Sequence, residues 1–413
     1  MAKRRVEYLL VGGGLAAASC ARWLREEGAD GSILLVGREL DPPYERPPLS
    51  KGYLRGEEGK QDALYRPDEW WDEQRIELLT RTSVMKLDAA ERVATLSTKD
   101  EVEFGKALIA TGANVRRLRI DGCDLEGIHY LRAFGNADAI RADAEQAERV
   151  VLIGGSYIGC EVAASLTAAY GDKCTIVMQE EHPLARSFGP DIGRFFRRVL
   201  EQRGVTILGG EDVVRFEGSG ERVGKVVTSS GLEIEADCVV VGAGVMPDTM
   251  LANRAGLELG ELGGVRCSAS LESSVPGIFA AGDMCEWESP LHGRSLRLEH
   301  FDVAESHGRT AALAMLGRDV VHDTLPYFFS DLADWVSLEY VGPGSGDLVV
   351  RGSLDDGRFI AFYVDGETVT AALSIGRSDD LEHARRLIAE RVPVSRDALA
   401  DEGTDLAASA DGA

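Results

Sequence analysis

The fold of this chain is decided by the stretch YLLVGGGLAAASCARWLREEG, residues 8–28. Its four leading apolar residues predict a buried strand, and the residues after them fit the pattern G-x-G-x-x-A, with Gly12, Gly14 and Ala17 in the marked positions. Gly12 allows a tight turn, Gly14 lets a pyrophosphate approach backbone N–H groups, and the small Ala17 lets helix and strand pack closely. The stretch therefore predicts a dinucleotide-binding turn.

The residues that follow support this interpretation. A helix is predicted over residues 15–27, and the apolar run ILLV at 33–36 predicts a second strand. Glu39 lies about 20 residues beyond the turn, where an acid can accept hydrogen bonds from ribose hydroxyls. The alternative is a glycine-rich turn of an unrelated α/β protein.

Composition narrows the class of protein. A chain of 413 residues predicts two or three domains, and its net charge of −24 disfavours nucleic acid and anionic membrane surfaces as partners. We expect no membrane span, because no apolar run reaches the ~18 residues that one needs. The seven cysteines are scattered without a C-x-x-C, which predicts a cytoplasmic setting, no metal site and no redox disulfide.

The pattern of the first stretch is repeated from about residue 118. The run VVLI at 150–153 predicts a strand, GGSYIG at 154–159 predicts the turn, and a helix follows from Tyr157 to about Tyr170. Ser156 stands where the middle glycine belongs, so its side chain faces the expected position of a pyrophosphate. The alternative is a repeat of the fold that binds no nucleotide.

Nucleotide specificity is predicted from the residues after the next strand, 174–178. Glu180 and Glu181 lie about 20 residues beyond the second turn, where either can accept a ribose hydroxyl. No arginine follows directly to bind a 2′-phosphate. The sequence therefore favours NADH over NADPH.

Further strands that end in glycine turns predict an α/β fold of two Rossmann-like nucleotide-binding domains, one inserted in the other, plus a smaller C-terminal α/β domain. The strands at 107–109, 238–241 and 278–280 are interpreted as returns between the two nucleotide domains. The predicted domains are residues 1–117 and 243–319 for the first nucleotide, 118–242 for the second, 320–400 at the C-terminus, and 401–413 as a disordered tail.

Six blocks then carry a resemblance to a known family. They are PYERPPLSK at 43–51, ATG at 110–112, GGSYIGCE at 154–161, AAGD at 280–283, LEHF at 298–301 and LPYFFS at 325–330. The chain resembles the FAD-dependent pyridine nucleotide oxidoreductases, in the branch with NADH:ferredoxin and rubredoxin reductases, monodehydroascorbate reductase and apoptosis-inducing factor.

This resemblance implies that the first turn holds FAD and the second NAD(P)H. It places Lys51 close to the flavin, Asp283 near the ribityl and pyrophosphate groups, and Phe301 beside the isoalloxazine. Arg38 departs from the acid of many relatives, and Phe329 departs from the tryptophan of many ferredoxin reductases. Together the turns and the resemblance imply these cofactor-binding residues: Gly12, Gly14, Leu15, Ala16, Ala17, Arg38, Glu39, Arg46, Lys51, Val84, Ala110, Thr111, Gly112, Arg132, Gly154, Gly155, Ser156, Tyr157, Ile158, Gly159, Glu161, Glu180, Glu181, Gly244, Gly282, Asp283, Glu299, His300, Phe301 and Phe329.

Lys51 and Glu161 are the predicted catalytic residues. Both positions match residues that lie beside the flavin and the nicotinamide in the resembling family, and we expect their side chains to form an ion pair. Without the resemblance, Lys51 would be an ordinary surface lysine and Glu161 an ordinary helix residue. His300 and His307 have no metal-like grouping with other ligands, so we expect no metal.

The expected function is an FAD-dependent NADH oxidoreductase that passes electrons to a ferredoxin-like iron–sulfur protein. Residues 44–51 contain no cysteine, so the dithiol relay of the disulfide-reductase branch is absent. Two alternatives stay open: a reductase of a small acceptor such as a quinone or monodehydroascorbate, and a redox-sensing interaction protein like apoptosis-inducing factor. Both a monomer and a homodimer are compatible with the sequence.

Overall fold

The computed structural model describes residues 3–407. The chain forms two compact units. The first joins the residues up to Glu45 with Gln61–Asn114 and Val245–Pro326, and the second joins Arg46–Lys60, Val115–Gly244 and the residues from Tyr327 onward. Residues 46–60, which the sequence assigns to the first nucleotide domain, thus pack with the second unit. The predicted boundaries otherwise stay predictions.

A seven-stranded sheet forms the centre of the first unit. Its central strands are parallel and buried on both faces, as their nearly continuous apolar runs predict. In spatial order the strands are Ile76–Leu79, Ile33–Val36, Lys3–Val11, Glu101–Ile109, Val93–Leu96 and Val84–Asp88, with Ile278–Ala280 paired to Glu101–Ile109. Because parallel strands share an orientation, the residues that follow them lie together at the carboxyl end of the sheet. These residues are Gly12, Gly37, Ala110 and Ala281.

Helices and small sheets complete the first unit. Its long helices, Leu15–Glu26 and Phe301–Met315, pack against each other. Gly308 permits this contact, because a Cβ there would lie 2.5 Å from the backbone oxygen of Ala16. The other elements are the helices Asp68–Glu73 and Met250–Arg254, the 3-10 helix Gly282–Met284, and the strands Val265–Cys267, Cys285–Ser289 and Arg294–Leu296. The helix Lys60–Ala63 and the paired strands Ala113–Val115 and Val245–Pro247 lie where the chain passes between units.

A second parallel sheet, of five strands, lies in the second unit. In spatial order its strands are Thr206–Leu208, Cys174–Val177, Val150–Ile153, Cys238–Val241 and Ile128–His129. Its helices are Phe134–Gln146, Tyr157–Tyr170, Ala185–Phe188 and Pro190–Gln202, and an antiparallel sheet of Val213–Ser219, Arg222–Thr228 and Glu233–Glu235 is appended. The loop of residues 46–60 contributes the 3-10 helix Pro47–Ser50 and the helix Gly52–Arg55. The predicted second nucleotide fold is confirmed.

The C-terminal part of the second unit is an antiparallel sheet with two helices. The strands in spatial order are Tyr327–Leu332, Val336–Val341, Thr368–Ile375, Arg358–Asp365 and Asp347–Ser353, and the helices are Ser378–Glu390 and Arg396–Ala400. The strands Arg358–Asp365 and Thr368–Ile375 form a hairpin whose turn has Gly366 in the left-handed region. The chain therefore contains two Rossmann-like folds and a smaller C-terminal domain.

Residues 401–407 differ from the predicted disordered tail. The guanidinium of Arg351 donates hydrogen bonds to the backbone oxygens of Asp401 and Thr404, at 2.6 and 2.9 Å, and Leu406 is buried. An acidic composition without aromatic residues predicts disorder, but here one buried arginine binds the backbone of the segment. Residues 408–413, also part of that prediction, lie outside the described residues.

Among the described residues, no helix is both long enough and apolar enough to cross a membrane.

Candidate functional site

The first glycine turn has the geometry of a phosphate-binding turn. Gly12 has φ +131°, and a Cβ there would lie 2.1 Å from the backbone oxygen of Ala110, so no other residue fits. A Cβ on Gly14, in contrast, would meet nothing within 4 Å. Gly14 precedes the helix Leu15–Glu26 and has no side chain, so no N-cap side chain binds the first N–H groups of this helix. An anionic group fits that space, as the pyrophosphate of FAD requires.

A second turn lies beside the first. Gly282 has φ +75°, and a Cβ there would lie 3.4 Å from the Cβ of Ala16. Gly282 and Asp283 are thus next to the first turn of the helix that begins at Leu15. The residues Ala110, Thr111 and Gly112 follow the adjacent strand, and Gly112 also has a positive φ. The first unit therefore gathers the predicted FAD residues from three separate segments.

Arg38 and Glu39, which follow the strand Ile33–Val36, contact different side chains. The guanidinium of Arg38 contacts the carboxylate of Asp248 at 3.1 Å and donates a hydrogen bond to the Asn114 side chain at 2.6 Å. Glu39 accepts a hydrogen bond from the hydroxyl of Tyr44 at 2.6 Å. Arg38 is thus engaged by other side chains, and the assignment of Glu39 as the acid that binds a ribose stays a prediction.

Other predicted FAD contacts in the first unit have ordinary local roles as well. Val84 packs half-buried on the sheet, and the carboxylate of Glu299 lies 2.7 Å from the guanidinium of Arg297. His300 precedes the helix that begins at Phe301, and burial lowers the pKa of His300 to about 4. The prediction that these residues bind the cofactor stays a prediction.

The second glycine turn repeats the geometry of the first. Gly154 has φ +103°, and a Cβ on Gly159 would lie 2.0 Å from the oxygen of Gly154, which requires a glycine where helix and strand meet. Ser156 precedes the helix with φ −84° and ψ −177°, close to the −97° and −177° of Gly14. Its hydroxyl lies 3.5 Å from the oxygen of Gly242. The serine is therefore accommodated without backbone strain.

The remaining predicted residues of the second nucleotide fold surround this turn. Glu180 is half-buried and Glu181 is exposed, both just beyond the strand Cys174–Val177. Ile158 is 42% exposed, whereas burial raises the pKa of Tyr157 to about 12. Gly155 packs against Met178, and Gly244 has a positive φ. The turn and the two acids lie at the same end of the sheet, as a nucleotide site requires.

The predicted ion pair between Lys51 and Glu161 is confirmed. Nζ of Lys51 lies 2.8 Å from Oε1 of Glu161, and the two side chains are only 14% and 5% exposed. Ser330 donates a hydrogen bond to Oε1 of Glu161 and Ser50 donates one to Oε2, each at 2.5 Å. Both carboxylate oxygens therefore have protein donors, which the burial of a charge demands.

Ser50 and Ser330 are the residues that sequence reasoning missed. Each lies in one of the six sequence blocks, next to a predicted site residue, and that position was the available signal. Phe329 precedes Ser330, is 37% exposed, and has its ring centroid 5.5 Å from Nζ of Lys51. The second unit thus brings Lys51, Glu161 and Phe329 together. In the same unit Arg46 donates a hydrogen bond to the backbone oxygen of Arg132.

Among the described residues, the side chains provide neither a metal-binding cluster nor a reactive thiol. In the part of the chain that the structure describes, no three His, Cys, Asp or Glu residues form a potential metal site. All seven cysteines are free, and six of them are buried. Burial raises the pKa of Cys160 and Cys20 above the usual thiol range, which disfavours reactive thiolates.

Comparisons with known proteins agree with this geometry. Residues 6–308 match the pyridine nucleotide-disulphide oxidoreductase family, and residues 327–410 match the reductase C-terminal domain. The chain belongs to the pyridine nucleotide-disulphide oxidoreductase family. It is an FAD-dependent NAD(P)H oxidoreductase of the branch predicted from the sequence, so FAD and a nicotinamide dinucleotide are its cofactors.

Individual relatives align over nearly the whole chain. The ferredoxin–NAD(+) reductase component of the anthranilate 1,2-dioxygenase system of Burkholderia cepacia is 35% identical, with 95% of this chain and 97% of that protein covered. Monodehydroascorbate reductase 5 of Oryza sativa subsp. japonica is 32% identical over 88% of this chain and 78% of its own length. A chain in the crystal structure of the covalent putidaredoxin reductase–putidaredoxin complex has a TM-score of 0.94 and 31% identity, with 99% of each chain covered.

Proposed function

We propose that this protein takes hydride from NADH onto FAD and passes the electrons to an acidic, ferredoxin-like iron–sulfur protein. The relatives described above include a ferredoxin–NAD(+) reductase and a reductase captured in complex with putidaredoxin. When bound, the flavin accepts a hydride and releases electrons one at a time, and the protein supplies binding, orientation and electrostatics.

One surface of the first unit supports the choice of an acidic protein as the electron acceptor. We call it the arginine–aromatic surface, and it consists of Arg22, Trp23, Tyr65, Arg66, Trp70 and Arg309. The guanidinium of Arg309 lies 4.7 Å from the ring centroid of Trp23, and that of Arg66 lies 4.6 Å from Tyr65. Arg22 lies between them, 5.3 Å from Trp23 and 5.8 Å from Tyr65. Cations and rings therefore alternate along this group of side chains, in which Tyr65 is buried and Arg309 is exposed.

Arg22 is paired with Glu26 and Glu305, at 3.8 and 3.6 Å, so the positive charge of this surface rests on Arg66 and Arg309, in a chain whose net charge is −24. Two acidic proteins repel each other, so an acidic partner needs a local patch of the opposite sign, which mainly raises the association rate. Arg309 is exposed, and within residues 3–407 it forms no ion pair. It lies on the helix that begins at Phe301, about 12 Å along the axis from that residue. Arg309 therefore lies on an element that the family resemblance associates with the flavin.

The buried ion pair suits the hydride step. We assign to Lys51 a fixed positive charge that stabilises the negative charge gained on reduction, and to Glu161 the orientation of that ammonium. Electrostatic groups held in advance in a water-poor site are effective because they need no reorganisation. Oxygens of Glu161 are also acceptors that suit a carboxamide N–H₂. Glu180 and Glu181, rather than arginines, follow the second nucleotide strand, which supports NADH as the donor.

Steady-state assays with two acceptors test this function. A bacterial [2Fe–2S] ferredoxin and ferricyanide are each reduced with NADH, using the parent enzyme and the variants Arg309→Glu and Arg66→Glu. We expect both variants to slow ferredoxin reduction at low salt and to leave ferricyanide reduction unchanged. Arg266→Glu is the matched control, because Arg266 is exposed on the same unit but outside the arginine–aromatic surface. Equal ferredoxin rates in all four proteins would remove the proposed surface.

A reductase of a small acceptor is the second candidate. The monodehydroascorbate reductase relative favours it, as does Phe329, which departs from the tryptophan of many ferredoxin reductases. Faster turnover with monodehydroascorbate or a quinone than with ferredoxin would select this function. Slow NADH oxidation with every acceptor would instead indicate a redox sensor.

A further inference from the structure

A buried histidine holds the turn that carries Asp283. Gly282 donates its backbone N–H to Nδ1 of His307 at 3.2 Å, and the side chain of His307 is completely buried. We propose that His307 is a positioning residue that fixes the Gly282–Asp283 turn in the conformation that binds FAD. This inference rests on the proposed contact of Asp283 with FAD and does not depend on the electron acceptor.

The sheet cannot supply the hydrogen bond that His307 accepts. The backbone ladder ends one residue earlier, where Ala281 donates its N–H to the oxygen of Ile109 at 3.1 Å. Gly282 then turns away with φ +75° and packs near the methyl groups of Ala16 and Ala304. A buried N–H without an acceptor is costly, so this turn requires a group from outside the sheet.

The helix that carries His307 is itself fixed against the FAD turn. Gly308 allows close contact, since a Cβ there would lie 2.5 Å from the backbone oxygen of Ala16 and 2.6 Å from the Cβ of Ser19. The hydroxyl of Ser19 also donates a hydrogen bond to the backbone oxygen of Glu305 at 2.7 Å. The imidazole therefore approaches Gly282 from a helix that packs closely against Leu15–Glu26, the helix that follows the first glycine turn.

The protonation state of His307 suits an acceptor. Burial, together with the neighbouring His322, lowers the pKa of His307 well below its ordinary value, so the ring stays neutral. The ring centroids of His307 and His322 are 4.4 Å apart. Because Nδ1 accepts from Gly282, the proton of the neutral ring belongs on Nε2. The hydrogen bond to Gly282 is therefore retained across the neutral pH range.

Loss of the acceptor should appear in the affinity for FAD. Without His307 Nδ1, the turn of the apoprotein can relax until the Gly282 N–H meets water. Binding of FAD would then require this N–H to be buried again without a partner. We expect His307→Leu to weaken FAD binding about tenfold, which corresponds to about 1.4 kcal/mol.

The experiment titrates FAD into apoprotein and follows the quenching of flavin fluorescence, so that turnover is not the readout. His307→Leu and the more adaptable His307→Met both remove the acceptor, and the better-folded variant is used. His307→Gln, whose amide oxygen can accept the same hydrogen bond, should restore the affinity. His322→Leu is the matched control, because it removes a neighbouring buried imidazole that does not contact Gly282.

Parent-like FAD affinity in the variant without the acceptor would overturn the inference. Equal losses in the His307 and His322 variants would overturn it too, because they would indicate packing alone. Asp283→Ala separates this inference from the proposed contact on which it rests. If Asp283→Ala weakens FAD binding while the His307 variants do not, only the inference fails. If Asp283→Ala has no effect, the proposed contact fails.

Discussion

Replacing Lys51 by methionine removes an ammonium that lies 2.8 Å from a carboxylate with only 5% of its side chain exposed. Removal of one member of a buried ion pair costs about 3–5 kcal/mol, because the other charge is left buried without its partner. Ser50 and Ser330 still donate to Glu161, so we expect the lower end, about 3 kcal/mol, for Lys51→Met. Glu161→Gln should cost a similar amount, since it leaves Lys51 unpaired.

A double-mutant cycle measures the interaction itself. The variant with both changes has a neutral pair of nearly unchanged shape, so its loss should be much smaller than the sum of the single losses. We expect a coupling free energy of about 2–3 kcal/mol, measured by urea denaturation with FAD in excess. Stopped-flow mixing with NADH should also show slower flavin reduction in Lys51→Met, with FAD retained.

The matched control is an exposed Lys–Glu pair of the same unit. Nζ of Lys225 lies 2.7 Å from Oε2 of Glu233, but their side chains are 39% and 52% exposed. Lys225→Met and Glu233→Gln should show little coupling, because solvent screens an exposed pair. Strictly additive effects in the Lys51–Glu161 cycle, or parent-like flavin reduction in Lys51→Met, would refute the proposed role of the buried pair.

Three further predictions follow from the two nucleotide sites and the buried histidines. NADH should reduce the flavin faster than NADPH, and Glu180→Ala and Glu181→Ala, compared by stopped flow, should identify which acid binds the ribose; a clear NADPH preference would contradict this assignment. Gly14→Ala should fold but bind FAD weakly, because its Cβ enters only the space in front of the helix, whereas Gly12→Ala should impair folding; circular dichroism and FAD titration separate the two outcomes. Burial lowers the pKa of His322 to about 4 in the folded protein from 6.5, so its contribution to stability is present above pH 6.5 and is lost as the pH falls towards 4. In thermal unfolding measured as a function of pH, His322→Asn should therefore reduce the fall in melting temperature between pH 6.5 and 4. An unchanged fall would exclude His322 as its source.

Local sequence determined the two nucleotide turns. Gly12, Gly154 and Gly159 could be placed because the constraints on them, a positive φ and a close backbone approach, repeat at short fixed spacing. The strands Ile33–Val36 and Val150–Ile153 agree with their predicted bounds, since a fully buried strand is a continuous apolar run. The pairing of Lys51 with Glu161 was predicted only through the family resemblance, because no local pattern joins them.

Tertiary structure alone decided which side chains support the turns and the buried ion pair. Ser330 reaches Glu161 across 169 positions of sequence and Ser50 reaches it across 111. His307 reaches Gly282 because a glycine beside it lets two helices approach closely, and the arginine–aromatic surface assembles from three separate segments. Periodicity and turn residues describe how each segment folds and which face it buries. They do not specify which distant segment meets that face, because this depends on the shape of all the packed side chains together.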